Sequence, residues 1–399
     1  MHTKILAILL LCAVDVSAEP KLEPIDAEVR QSYIKRAQVW RPTEVSKMDV
    51  WLGPQNEIAV APGTEVSCKY VEPKEKPSGA ISKFKCELIN GQTVRVKYGK
   101  NTGEVFAEIA ASRLLWALGF YADEVYPVKV RCEQCPANPS EPKEEARQTW
   151  IIQPAIIERE YPGAMIQEKE DQGWAWKELD EIDPKEGGAP IEQVDALKLL
   201  AVLIQHGDQK PSQQRIGCMP EDLADDDGDG LAVCKRPVMM VQDLGATFGR
   251  AGQFTLEGES KMNFERWSKN PVWNEMMEKE EFDKHARKVC IGDLTNSGAA
   301  GREGLQNPII SEEGRKFLAG LLSQFTEKQI GDLFRAARAD KRNEWVEGNG
   351  QKRRVTVDDW TQAFLKKRQE IIERQCEEST AKPKEKITSG PAGAAQEAP

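Results

Sequence analysis

The chain has 399 residues and a formal net charge of −10, with 65 Asp and Glu against 55 Lys and Arg. Its length suffices for one large two-lobed domain or for two ordinary ones. An acidic chain with no basic stripe gives no reason to expect a nucleic-acid partner.

Residues 1–18 read as a secretory signal peptide. Lys4 opens a short basic start, the run 5–14 is almost wholly apolar, and Val16-Ser17-Ala18 offers a small-residue cleavage site. The apolar run is too short to span a bilayer, and no later stretch reaches the roughly 18 apolar residues a transmembrane helix needs. Leu9-Leu10-Leu11-Cys12 faintly suggests a lipoprotein signal, but Leu11 is large where that signal wants a small residue. An unprocessed apolar N-terminus is the other reading. The expectation is export, to the medium, a periplasm or a secretory lumen. Lys4 and Asp15 would leave together, so the mature charge would stay at −10.

Of nine cysteines, loss of Cys12 leaves Cys68, Cys86, Cys132, Cys135, Cys218, Cys234, Cys290 and Cys376. An even set in a signal-bearing chain is more often a disulfide framework than a metal site. Local pairing would join Cys68 to Cys86, Cys132 to Cys135 and Cys218 to Cys234, leaving Cys290 for Cys376. Many other connectivities stay open. Cys132-Glu133-Gln134-Cys135 could seat zinc, but one C-x-x-C without a partner pair is a weak signal.

Along the mature chain, residues 66–70, 83–88 and 93–98 read as strands, with Asn90-Gly91 as the turn between the last two. The third ends Val94-Arg95-Val96-Lys97, whose alternation puts the valines on one face and Arg95 and Lys97 on the other. A solvent-facing strand lysine would read the same way. Residues 104–118 form the best amphipathic helix pattern, with Gly119 as a fitting C-cap. Glu104 and Glu108 share one of its faces, either as two solvated acids or as partners for Lys97; Glu108 is favoured. Residues 126–131 and 149–157 look like further strands around a Pro- and Glu-rich excursion at 132–147. Trp174-Ala175-Trp176 reads as packing, and helical patterns recur at 312–324, 327–338 and 357–374. Residues 377–399 have almost nothing to bury and read as a disordered tail.

The densest chemistry lies in His206-Gly207-Asp208-Gln209-Lys210-Pro211-Ser212-Gln213, followed by Asp243-Leu244-Gly245. An apolar helix-like run at 195–205 delivers the first segment to a loop, and a short buried-strand pattern at 237–241 delivers the second. An acid and an amide five positions apart, Asp208 and Gln213, can both face phosphates, while Asp243 holds a metal from the other side. Only His206 and His285 remain once the leader is gone. Neither is accompanied by G-x-S-x-G or H-E-x-x-H, so a hydrolase is disfavoured.

These segments resemble the H-R-D-x-K-x-x-N loop and D-F-G turn of protein kinases, and Val94-Arg95-Val96-Lys97 resembles their V-A-I-K strand. The resemblance covers residues 94–245 in order and is nearest to atypical kinases, of the HipA-like and secretory-pathway types. It implies an α+β, two-lobed kinase-like fold: a small β-rich N-lobe at 19–160 and a larger, mainly helical C-lobe at 161–376. By it, Lys97 oriented by Glu108 would reach the phosphates of ATP, and Asp208 would orient or deprotonate the acceptor hydroxyl. Lys210 would stabilise the transferring phosphoryl, and Gln213 and Asp243 would hold Mg²⁺ or Mn²⁺. Residues 156–159 would form the hinge that grips adenine. The chain departs from the pattern in three ways. No G-x-G-x-x-G precedes Lys97, Gln213 stands where Asn is usual, and no A-P-E segment follows Asp243.

Between Gln213 and Asp243, Asp225, Asp227, Asp229 and Gly230 match the first half of an EF-hand loop. The twelfth position is Arg236 in place of the bidentate Glu, so Ca²⁺ binding in the ~10⁻⁴–10⁻³ M range is expected. The D-x-D-x-D-G-x3-C pattern also resembles excalibur-type extracellular calcium loops, in which a disulfide, here within 218–234, closes the turn. A solvated acidic loop is the bland alternative. The expected function is a secreted atypical kinase using ATP and Mg²⁺ or Mn²⁺ on an exported protein or small molecule. The alternative is a catalytically inactive, pseudokinase-type binding protein stabilised by disulfides and calcium.

Overall fold

The structure is a computed structural model. It describes residues 21–73, 81–99, 103–141, 147–159, 163–169, 172–225, 231–252, 261–285, 288–295, 303–348 and 351–377. The expected leader, nearly all of the expected tail, and Asp227 and Asp229 lie outside the described residues. The fold is α+β and two-lobed, a small β lobe joined to a larger, mainly helical one.

Five strands close the small lobe into a barrel in the order Glu65–Val71, Ser82–Leu88, Thr93–Tyr98, Gln148–Glu158, Val125–Cys135. The closed order follows from alternation: Phe84, Val94, Val96, Tyr126, Val128 and Ile157 fill an interior of their own, separate from the main core. Gly91, at φ +81°, lets the Asn90-Gly91 turn reverse the chain between the second and third strands. The helix Glu104–Leu118 buries every residue but Trp116, so it is a core element between the lobes and not a surface amphipath. It stops at Gly119, φ +90°, where a side chain would run into the Arg41 carbonyl.

The larger lobe is built on the buried helix Ile191–Ile204, backed by Glu312–Gln324, Glu327–Ala336 and Val357–Glu373. Thr326 and Thr356 cap the last two with reciprocal capping boxes, each worth about 1 kcal/mol. An aromatic cluster locks these helices together: Trp360 stacks on Trp267 at 5.5 Å and on Phe334 at 5.3 Å. Trp174 and Trp176 are buried in the same core. Within the span assigned to the first lobe, the helix Ala27–Arg36 lies instead against the second. Its Arg30 pairs with Glu178 at 2.7 Å and donates to the Gly173 carbonyl at 2.8 Å. Among the described residues no helix is long and apolar enough to cross a membrane.

The cysteines pair as Cys68–Cys86, Cys132–Cys135, Cys218–Cys234 and Cys290–Cys376. The last closes a loop of 86 residues and ties the strand Cys290–Ile291 to the end of the final helix. On the chain-entropy account a loop of that size stabilises the fold by about 4–5 kcal/mol. Cys376→Ser should therefore lower the denaturant midpoint strongly in equilibrium unfolding. An unchanged midpoint would show that the bond is not formed in the native protein.

Candidate functional site

The helix Ile191–Ile204 ends at Gln205, which adopts a left-handed conformation at φ +54° that glycine would usually supply. Its own side chain offsets the strain, donating to the Val202 and Asp293 carbonyls at 3.1 and 2.6 Å. The chain then turns into the loop that carries Asp208 and Lys210. The Gly207 amide donates to the Ala246 carbonyl at 2.8 Å, tethering the loop to the segment after Gly245. Gln209 is fully buried; it donates to the His206 carbonyl at 3.1 Å and accepts from the Leu305 amide at 2.6 Å. The loop is thereby held from below, leaving Asp208 and Lys210 part-exposed above it.

Sheet register brings the second acid alongside. The strand Gln214–Cys218 pairs antiparallel with Pro237–Val241, with Gln214 opposite Val241. Gln213 therefore precedes one strand where Asp243 follows the other, and their side chains meet. Gln213 Nε2 donates to Asp208 Oδ2 at 3.0 Å and to Asp243 Oδ2 at 3.1 Å. Its Oε1 is buried and without a hydrogen-bond partner. Lys210 Nζ sits 3.2 Å from Asp208 Oδ1. Asp243 itself is left-handed, at φ +50°, a strained conformation for a non-glycine residue.

The small lobe supplies the opposite wall. Lys97, 2% exposed, lies 2.6 Å from Glu108 Oε1, 3.3 Å from Glu158 Oε2 and 3.5 Å from Asp243 Oδ1. Glu104, one turn earlier on the helix, pairs instead with Lys261. An unbroken chain of contacts thus runs from Glu108 through Lys97, Asp243 and Gln213 to Asp208 and Lys210. Burial alone would pull the Lys97 pKa down, but Glu108, Glu158 and Asp243 outweigh it and raise it well above the ordinary value. Asp243 is pushed up by burial and pulled down further by Lys97 and Lys83, ending below its ordinary value. Burial also takes His206 down to about 4, so it is neutral at physiological pH.

Two acids were not singled out from sequence. Asp123 is buried; it accepts from Gln242 Nε2 at 2.8 Å and from the Asp243 amide at 3.4 Å. Glu158, also buried, pairs with Arg95 at 2.6 Å. Glu108, Asp123 and Glu158 each offer an oxygen within 4.8 Å of the others. Burial chiefly pushes Glu108 up to about 8 and Asp123 up to about 7, and the Glu158 carboxylate adds to both. Register places Glu158 there: it sits two residues past Ile156, which pairs with Lys97, and so shares its face.

Three of the four residues of the expected hinge at 156–159 are strand. Ile156, Ile157 and Glu158 lie in a barrel strand with partners on both sides, Glu158 opposite both Arg95 and Val125. Their backbone groups serve the sheet and are unavailable to a ligand. Asp225 is the one acid of the expected calcium loop within the described residues.

No protein-family model matches the chain. No curated protein matches it either. Among solved structures, it is similar to the crystal structure of a Helicobacter pylori proinflammatory kinase, CtkA. That match has 11% identity and a TM-score of 0.39, over 78% of this chain and 96% of that one.

Proposed function

We propose that this chain is an atypical kinase-like protein that binds ATP with a divalent cation and transfers phosphate to an exported protein or small molecule. The observation that carries the reading is the buried Lys97–Glu108 pair linked through Asp243 and Gln213 to Asp208. A lysine oriented by a helix glutamate, facing one acid across from a second, is the constellation phosphoryl transfer requires. In this reading Asp208 accepts the proton of the acceptor hydroxyl as its oxygen attacks the γ-phosphorus. The bond from that phosphorus to the bridging oxygen breaks, and ADP leaves. Lys210 offsets charge on the transferring phosphoryl, and Lys97 contacts the phosphates behind it.

The donor set suits a hard cation such as Mg²⁺ or Mn²⁺. Asp243 offers carboxylate oxygens, and the buried Gln213 Oε1 is an acceptor with no donor. When bound, the metal would neutralise phosphate charge. Four disulfides support an oxidising compartment for the protein. The loop closed by Cys218–Cys234 is where we place weak Ca²⁺ binding.

The second reading, a catalytically inactive binder, is favoured by one feature: Gln213 presents its N–H donors to Asp208 and Asp243, where a cation would sit. Thermal-shift titration of the purified protein with ATP and Mg²⁺ or Mn²⁺ tests both readings. ATP at about 100 times its Kd should add about 2.7 kcal/mol of stability. No shift with either metal would end the nucleotide reading and leave a binding protein.

A further inference from the structure

We propose that Lys83 is a second phosphate-contacting lysine of the cleft, meeting the β- and γ-phosphates of a nucleoside triphosphate in place of a glycine-rich loop. The inference rests on the nucleotide-binding reading above. Lys83 lies directly opposite Lys97 in the antiparallel pair of Ser82–Leu88 with Thr93–Tyr98. Opposed residues point to the same face of a sheet, so both lysines project toward the wall that carries Glu108 and Asp243. Lys83 sits at the end of this hairpin away from the Asn90-Gly91 turn.

The two ammonium groups are differently committed. Lys97 is enclosed by three carboxylates at 2.6, 3.3 and 3.5 Å, and a phosphate can reach it only by loosening one of them. Lys83 is half-buried, and among the described residues it forms no ion pair. Burial lowers its pKa first, and the charge that works most against that is Asp243. Lys83 is thus a partly desolvated cation on the side of Asp243, with no ion-pair partner among the described residues. A polyphosphate entering the cleft would supply one. The sequence lacks the G-x-G-x-x-G before Lys97 whose backbone amides would otherwise cradle the phosphates.

The test compares ATP affinity, by thermal shift with Mn²⁺ at low and high salt, in wild type, Lys83→Met and Lys83→Arg. Methionine keeps the aliphatic stem and removes the charge; Lys83→Gln replaces it if that variant does not fold. We expect the neutral variant to lose about ten- to a hundredfold in ATP affinity, as a lost charge-assisted contact does. Its salt dependence should flatten, and Lys83→Arg should stay within about threefold of wild type. A neutral variant within about threefold of wild type overturns the role of Lys83 and leaves the nucleotide reading standing. Equal losses in Met and Arg variants overturn it too, since they indicate packing and not charge. Absence of any ATP shift in wild type removes both.

Discussion

Alanine at position 245 is expected to unseat the Lys97–Glu108 pair from a distance and weaken ATP binding at least about tenfold. Gly245 has an ordinary backbone, since it is not among the positive-φ residues. What it lacks is room: a Cβ there would land on Glu104 Cγ, well inside contact distance. Glu104 has no slack either, being 6% exposed and held by Lys261. Gly103, just before it, has the Lys261 carbonyl where its own Cβ would go. The segment after Asp243 therefore closes over the first turn of the helix. Any side chain at 245 must push that helix, and Glu108 lies one turn further along the same face. Overpacking of this kind costs about 1–3 kcal/mol, so the unliganded protein should also melt a few degrees lower. The measurement is a melting curve and an ATP titration on Gly245→Ala beside wild type. Unchanged melting and unchanged ATP affinity together would show that helix position and site are not coupled in this way.

What the sequence revealed were features written in neighbouring letters. Strand alternation at Thr93–Tyr98, the Asn90-Gly91 turn, the Gly119 cap and the local cysteine pairs each depend on residues a few positions apart. They are visible without a fold. Asp123, Glu158 and Lys83 were not visible, because each reaches the site only through barrel closure and strand register. Glu158 is 61 residues from Lys97 in number and 3.3 Å away in space. The expected hinge has the same origin: an apolar run into a charged pair reads as a strand end, and only the pairing to Arg95 and Val125 shows that the strand includes Glu158. The helix Ala27–Arg36 escaped for another reason. Its apolar stripe is only Val29, Tyr33 and Ile34, and the Asp26 cap and the Arg30–Glu178 pair supply the rest.

Asp208 and Asp243 should separate binding from turnover. Both accept from the same amide of Gln213, at 3.0 and 3.1 Å, so they are neighbours in one network. Their outward partners differ. Asp243 also touches Lys97 at 3.5 Å and carries the depressed pKa of an acid held ionised by cations. In the proposed reading its carboxylate meets a cation on the nucleotide. Asp208 pairs with Lys210 at the part-exposed mouth, where the proposed reading puts the acceptor. Asp243→Ala should abolish the ATP-dependent thermal shift and transfer together. Asp208→Ala should retain the shift and lose about 10²–10⁴-fold in transfer rate, the usual cost of removing a general base. A radiolabel assay with Mn²⁺ resolves a loss of that size, and Asp208→Asn keeps the link to Lys210 weakened but the volume constant. If Asp208→Ala transfers phosphate at the wild-type rate, Asp208 is not the base. If Asp243→Ala still binds ATP with full affinity, the cation is held elsewhere, and the chain of contacts from Lys97 to Asp208 is structural.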